Sequence, residues 1–294
     1  MAWFHRGVTS ATLTDDPAIS DKLRALGVSL PADASMTASH SGSQEIGRRD
    51  FQHHLLRQAL RGAYAAPIGE PVAILDVGCG TGRWALEMAE RFPQARVVGV
   101  DRMLPSALAA PSTRPANLTI VAADMVEGLP FADAAFDFVH MRLLLGGLPA
   151  AHWLRVAREL VRVTRLGGWV ELVEGDLSRG GGPAQEALND WIMRASLPRG
   201  VNPRLGARVG DLLRDAGLSG IETRELTLPI GEASGRVGAM MAVEFLAGVE
   251  TWRAEIVTRG IAAPREIDQV AAAVTFEMTR WHYVQPFHLA FGQR

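Results

Sequence analysis

The chain of 294 residues has a single cysteine and only two tyrosines. Its one lysine is Lys22, so nearly all of its positive charge is arginine. With Cys79 alone, no intrachain disulfide and no cysteine-based zinc site can form. Thirty basic side chains stand against 32 acidic ones, a formal charge of −2, which gives no electrostatic reason for a nucleic-acid partner. No uninterrupted apolar run reaches the roughly 18 residues of a membrane span, and no apolar stretch follows a basic start. The sequence therefore reads as a cytoplasmic protein without a membrane partner. No H-E-x-x-H pattern or aspartate-rich cluster occurs, and His53 and His54 are neighbours that diverge on a helix, so no metal site is expected.

Hydrophobic residues make up 48% and charged residues 21%, as in an ordinary globular protein, and the length allows one large domain or a core with a cap. The most informative segment is Ile74-Leu75-Asp76-Val77-Gly78-Cys79-Gly80-Thr81-Gly82. It is a short apolar strand ending in an acid, then three glycines at alternate positions, then the helical run Trp84 to Met88. Such a break brings bare backbone amides against a ligand. The spacing D-x-G-x-G-x-G differs from the G-x-G-x-x-G of pyrophosphate-binding loops. An anion is poorly served by Asp76 at the strand end, whereas a ligand carrying an amino group and a sulfonium is well served. A second buried strand, Ala95 to Val100, ends at Asp101, which stands 23 positions after Gly78. That is close to the interval of about 20 for a carboxylate that grips both hydroxyls of a ribose.

With these segments in place, the chain resembles the class I S-adenosylmethionine-dependent methyltransferases. The matching stretches are ILDVGCGTG, VVGVD, AADMVEGLPF, FDFVHMR and LGGWVELVE, covering roughly residues 70 to 175. The resemblance implies an α/β fold, a Rossmann-like doubly wound seven-stranded sheet. Its sixth and seventh strands would form a hairpin, with the last strand antiparallel to the rest. It implies S-adenosyl-L-methionine as cofactor and S-adenosyl-L-homocysteine as product. Glycines 78, 80 and 82, with Cys79 as small filler, would let backbone approach the methionine part. Asp76 would lie near its ammonium, Asp101 with the adjacent Arg102 at the ribose, Asp124 at the adenine amino group and Met125 over the ring. An N-terminal helix often lies across the cofactor in this family, and Arg48, Gln52 and His53 are the candidates to reach its carboxylate. Alternatively, these residues form a solvated basic face. The R-x-D-x-Q-H segment before the first strand, Trp84, F-D-x-V-H-x-R and G-G-W-V-E-L resemble a branch linked to secondary metabolism and small-molecule acceptors.

Alternating elements carry this fold. Strands are expected at Val72 to Val77, Ala95 to Val100, Leu118 to Ala122, Phe136 to His140 and Trp169 to Val173. Helices are expected at Arg83 to Phe92 and Ala151 to Thr164, the latter with Trp153, Val156, Ala157 and Leu160 on one stripe. The N-terminal part, residues 1–66, reads as a helical segment packing over the cofactor site. It comprises a short helix after Asp16-Pro17, a small-residue link from Pro31 to Ser43 and a helix from Gln44 to Tyr64. Residues 67–294 would be the cofactor-binding domain. In its second half, helices are expected at 184–197 and Leu205 to Ala216, with Gly217 as C-cap, and a strand at 220–229. Helices at 237–257 and 264–281 precede a last strand from Tyr283 to Phe291. The region near 231–281 would be a helical insertion forming a cap, or equally a thickening of the core.

In-line methyl transfer needs placement and exclusion of water, with a base only where the acceptor must lose a proton. His140, at the exit of strand four, is the first candidate for that base, and Glu174 with Asp176 the second. The alternative for His140 is a structural role. Arg142 would hold an anionic acceptor or pair with an acid. Trp84, Trp153, Trp191, Trp252, Trp281 and Phe245 offer apolar surface for a flat acceptor, or serve as core. Three functions fit: a methyltransferase acting on O, N or C of a small molecule, a non-methylating pericyclase, cyclase, hydroxylase or decarboxylase that retains the cofactor, and a regulatory module that only binds it. An apolar face on the late helices would allow a homodimer.

Overall fold

The strands are β1 (Ala73–Val77), β2 (Arg96–Asp101), β3 (Leu118–Ala122), β4 (Phe136–Arg142), β5 (Thr164–Gly175), β6 (Ser219–Pro229) and β7 (Val284–Gln293), largely apolar and buried in β1, β2 and β4 and mostly exposed in β6. The structure, a computed structural model, describes residues 40–103 and 114–294, with backbone alone for 40–47. The expected helix after Asp16-Pro17 and residues 31–39 of the expected link lie outside the described residues. The strands pair in the order β3-β2-β1-β4-β5-β7-β6. The first five run parallel, and β7 is antiparallel to both β5 and β6. The order reverses between β1 and β4, which places the ligand-binding crevice beyond their carboxyl ends.

The helices are α1 (His40–Leu60), α2 (Arg83–Arg91), α3 (Trp153–Val163), α4 (Pro183–Ser196), α5 (Val209–Asp215), α6 (Gly235–Thr258) and α7 (Pro264–Glu277). The chain divides into two compact units, Met1–Arg48 and Arg49–Arg294. In the first, the described part is the opening of α1, where residues 40–43, expected as link, are already helical. The second carries everything that follows.

Sheet alternation sends Ile74, Phe138, Val173 and Leu289 to one face, where they pack with Trp84, Met88 and Phe92 of the α2 region. Leu75, Val77, Val139, Met141 and Leu172 go to the other, against Trp153, Val156 and Leu160 of α3 and Val209 and Leu213 of α5. Each such side chain contributes about 1.5–3 kcal/mol on burial. The helices α4, α6 and α7 close a further cluster around Leu188, Val249, Ile256 and Ile267, with Trp191, Phe245 and Trp252 packed against it. Most of the aromatic side chains considered as acceptor surface are therefore core, in three different clusters.

Helix boundaries follow local chemistry. The α2 helix stops at Phe92 ahead of Pro93. The α7 helix opens with Pro264 in its first turn, and Glu266 accepts the Ala263 N–H at 2.6 Å. The expected helix from Leu205 to Ala216 is instead a 3-10 turn, Leu205–Arg208, followed by α5. Within that turn Gly206 lies so close to the Gly175 carbonyl that no side chain fits. Gly217, at φ 99°, closes α5 as expected, its N–H bonded to the Arg214 carbonyl at 3.0 Å. Between β6 and β7 the chain makes its helical excursion, so these strands pair as neighbours but are not joined by a tight turn.

Candidate active site

The loop after β1 is fastened to the end of β2. The Gly78 and Cys79 amides both donate to the Val100 carbonyl, at 2.8 and 3.0 Å. Gly82 adopts the left-handed conformation (φ 76°) from which α2 starts, a position costly to any residue with a Cβ. Gly78 is required for a second reason, since a Cβ there would fall 2.7 Å from Leu144 Cδ1. Cys79 is buried, its sulfur against Gly99, and burial pushes its thiol far above the usual range, consistent with filler.

Asp101 stands half-buried beside this loop. Its Oδ2 accepts the Gly80 N–H at 2.9 Å and its Oδ1 the Met103 N–H at 3.1 Å. A carboxylate has about four acceptor positions, so two remain for hydroxyl donors. Arg102 is exposed next to it. At the end of β3, Asp124 Oδ1 accepts the Val126 N–H at 2.9 Å, and Met125 is half-buried against the main core. The glycine loop, two carboxylates at successive strand ends and the apolar Leu144 and Met125 lie along one edge of the sheet. This donor and acceptor set fits a ligand with a diol, an amino-bearing ring and an apolar middle. It would fit a polyphosphate poorly.

The first turns of α1 beyond Arg48 also meet the loop. Asp50 accepts the Thr81 hydroxyl at 2.6 Å, and Arg49 Nη1 lies 3.3 Å from the Cβ position of Gly80. Neither residue was singled out from the sequence, although both stand in the R-x-D-x-Q-H segment. Gln52 is half-buried on the same helix. His53 does not point to a ligand. Arg142 Nη2 lies 2.6 Å from His53 Nδ1, and His53 Nε2 lies 3.0 Å from Glu87. A guanidinium only donates, so Nδ1 accepts and Nε2 carries the proton. Burial, then the nearby Arg142 charge, lowers the His53 pKa to about 3. The Arg142 side chain is thus committed to α1, not to an anionic acceptor.

Both candidate bases are buried and engaged with other groups. His140 is 1% exposed. It occupies the middle of a row across three strands, facing Asp76 on β1 and Glu171 on β5. Its Nδ1 is 3.2 Å from Asp76 Oδ1, its Nε2 is 3.9 Å from Glu171, and Trp84 covers one ring face. The alternation of β4 turns it into the sheet's covered face, so it organises the core and does not reach an acceptor. Asp76 is buried in the same row, with its Oδ1 toward His140. Glu171, overlooked in the sequence, accepts the Ala65 and Ala66 amides at 2.8 Å each and ties the α1–β1 link to the sheet. Its pKa is raised, first by burial.

Glu174 lies on the opposite face, fully buried. Its two oxygens accept the Leu144 and Leu145 amides at 2.9 and 3.1 Å. Burial pushes its pKa up to about 8 against the lowering effect of those two bonds. It fixes a loop and does not face the crevice. Asp176, the other member of that pair, bonds His288 at 3.3 Å. Among the described residues, no group of three or more His, Cys, Asp or Glu could hold a metal ion, and no helix is long and apolar enough to cross a membrane.

Comparison with known proteins agrees with this geometry. Residues 74–168 match a family described as a methyltransferase domain. The chain is 29% identical over 283 residues to N-methyltransferase tcpN of Claviceps purpurea (strain 20.1), which covers 89% of this chain and 98% of that one. It is 31% identical over 212 residues to N-methyltransferase sirN of Leptosphaeria maculans, covering 69% and 74%. Among solved structures, Haemonchus contortus phosphoethanolamine N-methyltransferase 2 in complex with S-adenosyl-L-methionine gives a TM-score of 0.53 at 17% identity, a likeness of fold. It covers 83% of this chain, which spans 52% of that longer one.

Proposed function

Because the chain belongs to the class I S-adenosylmethionine-dependent methyltransferases of the secondary-metabolism type, we propose that it methylates a nitrogen atom of a small molecule. The observation that carries this choice is the fate of the two candidate bases, His140 and Glu174, both buried and engaged with other groups. A hydroxyl or carbon acid needs a base in reach, whereas a nitrogen with a free lone pair needs only placement. That the relatives tcpN and sirN are N-methyltransferases supports the same reading.

S-adenosyl-L-methionine supplies a methyl group already activated on a sulfonium. In this reading the bare backbone of Gly78 to Gly82 lets the cofactor approach closely and the Asp101 carboxylate holds it, with Arg102 beside Asp101. Asp124 and Met125 receive the adenine, and Gln52 reaches the methionine carboxylate. Residues 49–66 lie beside the cofactor loop, and 67–294 form the domain that binds the cofactor, with the cap near 231–281. A single cysteine in 294 residues suits a reducing compartment such as the cytoplasm.

The test incubates the protein with S-adenosyl-L-methionine and a panel of small secondary amines, phenols and carbon acids. Release of S-adenosyl-L-homocysteine with amines supports the assignment; release with phenols alone overturns it. By calorimetry, Asp101→Ala is expected to weaken S-adenosyl-L-homocysteine binding by about 100-fold, the loss of two hydrogen bonds to a charged group.

A further inference from the structure

The loop that follows β4 is built from Leu143-Leu144-Leu145-Gly146-Gly147, and it is held in an unusual way. Leu143 sits at φ 57°, a left-handed conformation that a leucine adopts only under constraint. Its own N–H continues the ladder to the Val173 carbonyl at 2.9 Å. The next two amides turn the same way and converge on the two oxygens of Glu174. Successive amides around a left-handed residue form a concavity suited to acceptor oxygens, and here the two carboxyl oxygens of Glu174 fill it. The Leu144 carbonyl then accepts the Gly147 and Leu148 amides, both at 2.9 Å. At the far end, Arg199 Nη2 donates to the Gly146 carbonyl at 2.9 Å, and Ala150 N–H donates to the Gly200 carbonyl at 2.8 Å.

A loop fixed at both ends aims one side chain. The two methyl carbons of Leu144 lie 2.7 and 2.8 Å from the place a Gly78 Cβ would occupy, so the leucine rests against the first glycine of the cradle. Burying a carboxylate with no cation on it is costly, and the high pKa of Glu174 reports that cost. A core hydrophobe at 174 would avoid the cost but would leave two buried amides unpaired. The feature that the carboxylate secures is the conformation of Leu143 to Leu145.

We propose that Glu174 is a positioning residue that acts through Leu144, holding it as an apolar wall of the cofactor cradle. This inference rests on the reading of Gly78 to Gly82 as the cofactor site. Arg199, stacked 5.8 Å from the Trp252 ring centroid on α6, steadies the other end of the same loop.

The test is a double-mutant cycle read by calorimetry with S-adenosyl-L-homocysteine, together with hydrogen exchange at the Leu144 and Leu145 amides. Glu174→Gln keeps the shape but turns an NH2 group toward one of the two amides. It is expected to speed exchange at both amides and to weaken binding about tenfold, as Leu144→Ala does alone, and the double variant about tenfold, not 100-fold. A role in folding alone would lower the melting temperature of Glu174→Gln and leave the affinity of the folded protein unchanged. Unchanged affinity in folded Glu174→Gln, or full multiplication of the two effects, overturns the proposal. If Glu174→Gln does not fold, Leu144→Ala decides, because Leu144 is half-exposed and a wild-type affinity in that variant refutes the wall. Wild-type protein that fails to bind S-adenosyl-L-homocysteine overturns both readings. Tight binding by Asp101→Ala with weak binding by Leu144→Ala overturns the ribose assignment and supports the wall.

Discussion

Trp84 and His140 stack face to face, with ring centroids 3.9 Å apart and planes inclined by 7°. The α2 helix starts directly after the glycine loop, so its second residue is carried back over the sheet onto the strand beside β1. The indole N–H is committed to the Ala63 carbonyl at 2.7 Å, which fixes the ring in that place. His140 then has an aromatic lid on one face and a carboxylate near each nitrogen.

His140→Ala is expected to lower the unfolding free energy by about 3 kcal/mol, since it opens a cavity and leaves Asp76 and Glu171 facing each other across it. Urea denaturation measures this. A variant as stable as the parent would mean that the row contributes nothing to the fold.

His53 imposes a dependence on acid. Its folded pKa of about 3 lies below the ordinary 6.5, so the folded state binds fewer protons than the unfolded chain in that interval. The contribution is fully present above pH 6.5 and is lost as pH falls toward 3, with a slope of at most about 1.4 kcal/mol per pH unit. His53→Gln should flatten the difference in urea midpoint between pH 7 and pH 5. Parallel curves for the two proteins would rule out a neutral, buried His53.

Glu174 acts in the opposite sense. Its folded pKa of about 8 lies above the ordinary 4.5, so the folded state retains a proton that the unfolded chain has lost. This contribution is present below pH 4.5 and disappears as pH rises through 8. Between pH 6 and 8, the parent should lose stability relative to Glu174→Gln, measured by thermal unfolding across buffers. A constant difference between the two would mean that the carboxylate is ionised throughout.

Glu277 ties α7 to the start of α4. Its two oxygens accept the amides of Gly182, Ala184 and Gln185 at 2.8–3.1 Å, so the last residue of α7 serves the unpaired start of α4. Glu277→Ala is expected to cost roughly 2–3 kcal/mol and to expose the Gly180 to Pro183 segment to limited proteolysis. Cleavage at parental rates would show that the helices stay docked without it.

The glycine run, the Asp101 interval and the alternation of strands and helices could be read from the sequence because each follows from local spacing. The cap helices could be read as helices for the same reason. What could not be read is which way a buried polar residue is engaged. His140 and Glu174 stand at neighbouring strand ends, yet strand alternation sends one under Trp84 and the other under Leu144. The three-leucine run before Gly146-Gly147 was a signal that went unused, since uncharged residues at the ligand-binding edge of a sheet have few other reasons to be there. Gly206, within an otherwise regular helical pattern, packs against Gly175, which is distant in sequence.

The excursion that carries α6 and α7 leaves the sheet at Pro229 and returns at Val284, and these two residues are partners on one rung of the β6–β7 ladder. Its ends are therefore about 5 Å apart, and Ile230 still bonds the Tyr283 carbonyl at 2.8 Å. Whatever lies between two such points leaves the register of the strands untouched. The segment is therefore an insertion whose length and lining are independent of the strand pairing that frames it. A change of length or lining between Pro229 and Val284 is thus separable from the glycine loop, which is built from the other end of the chain.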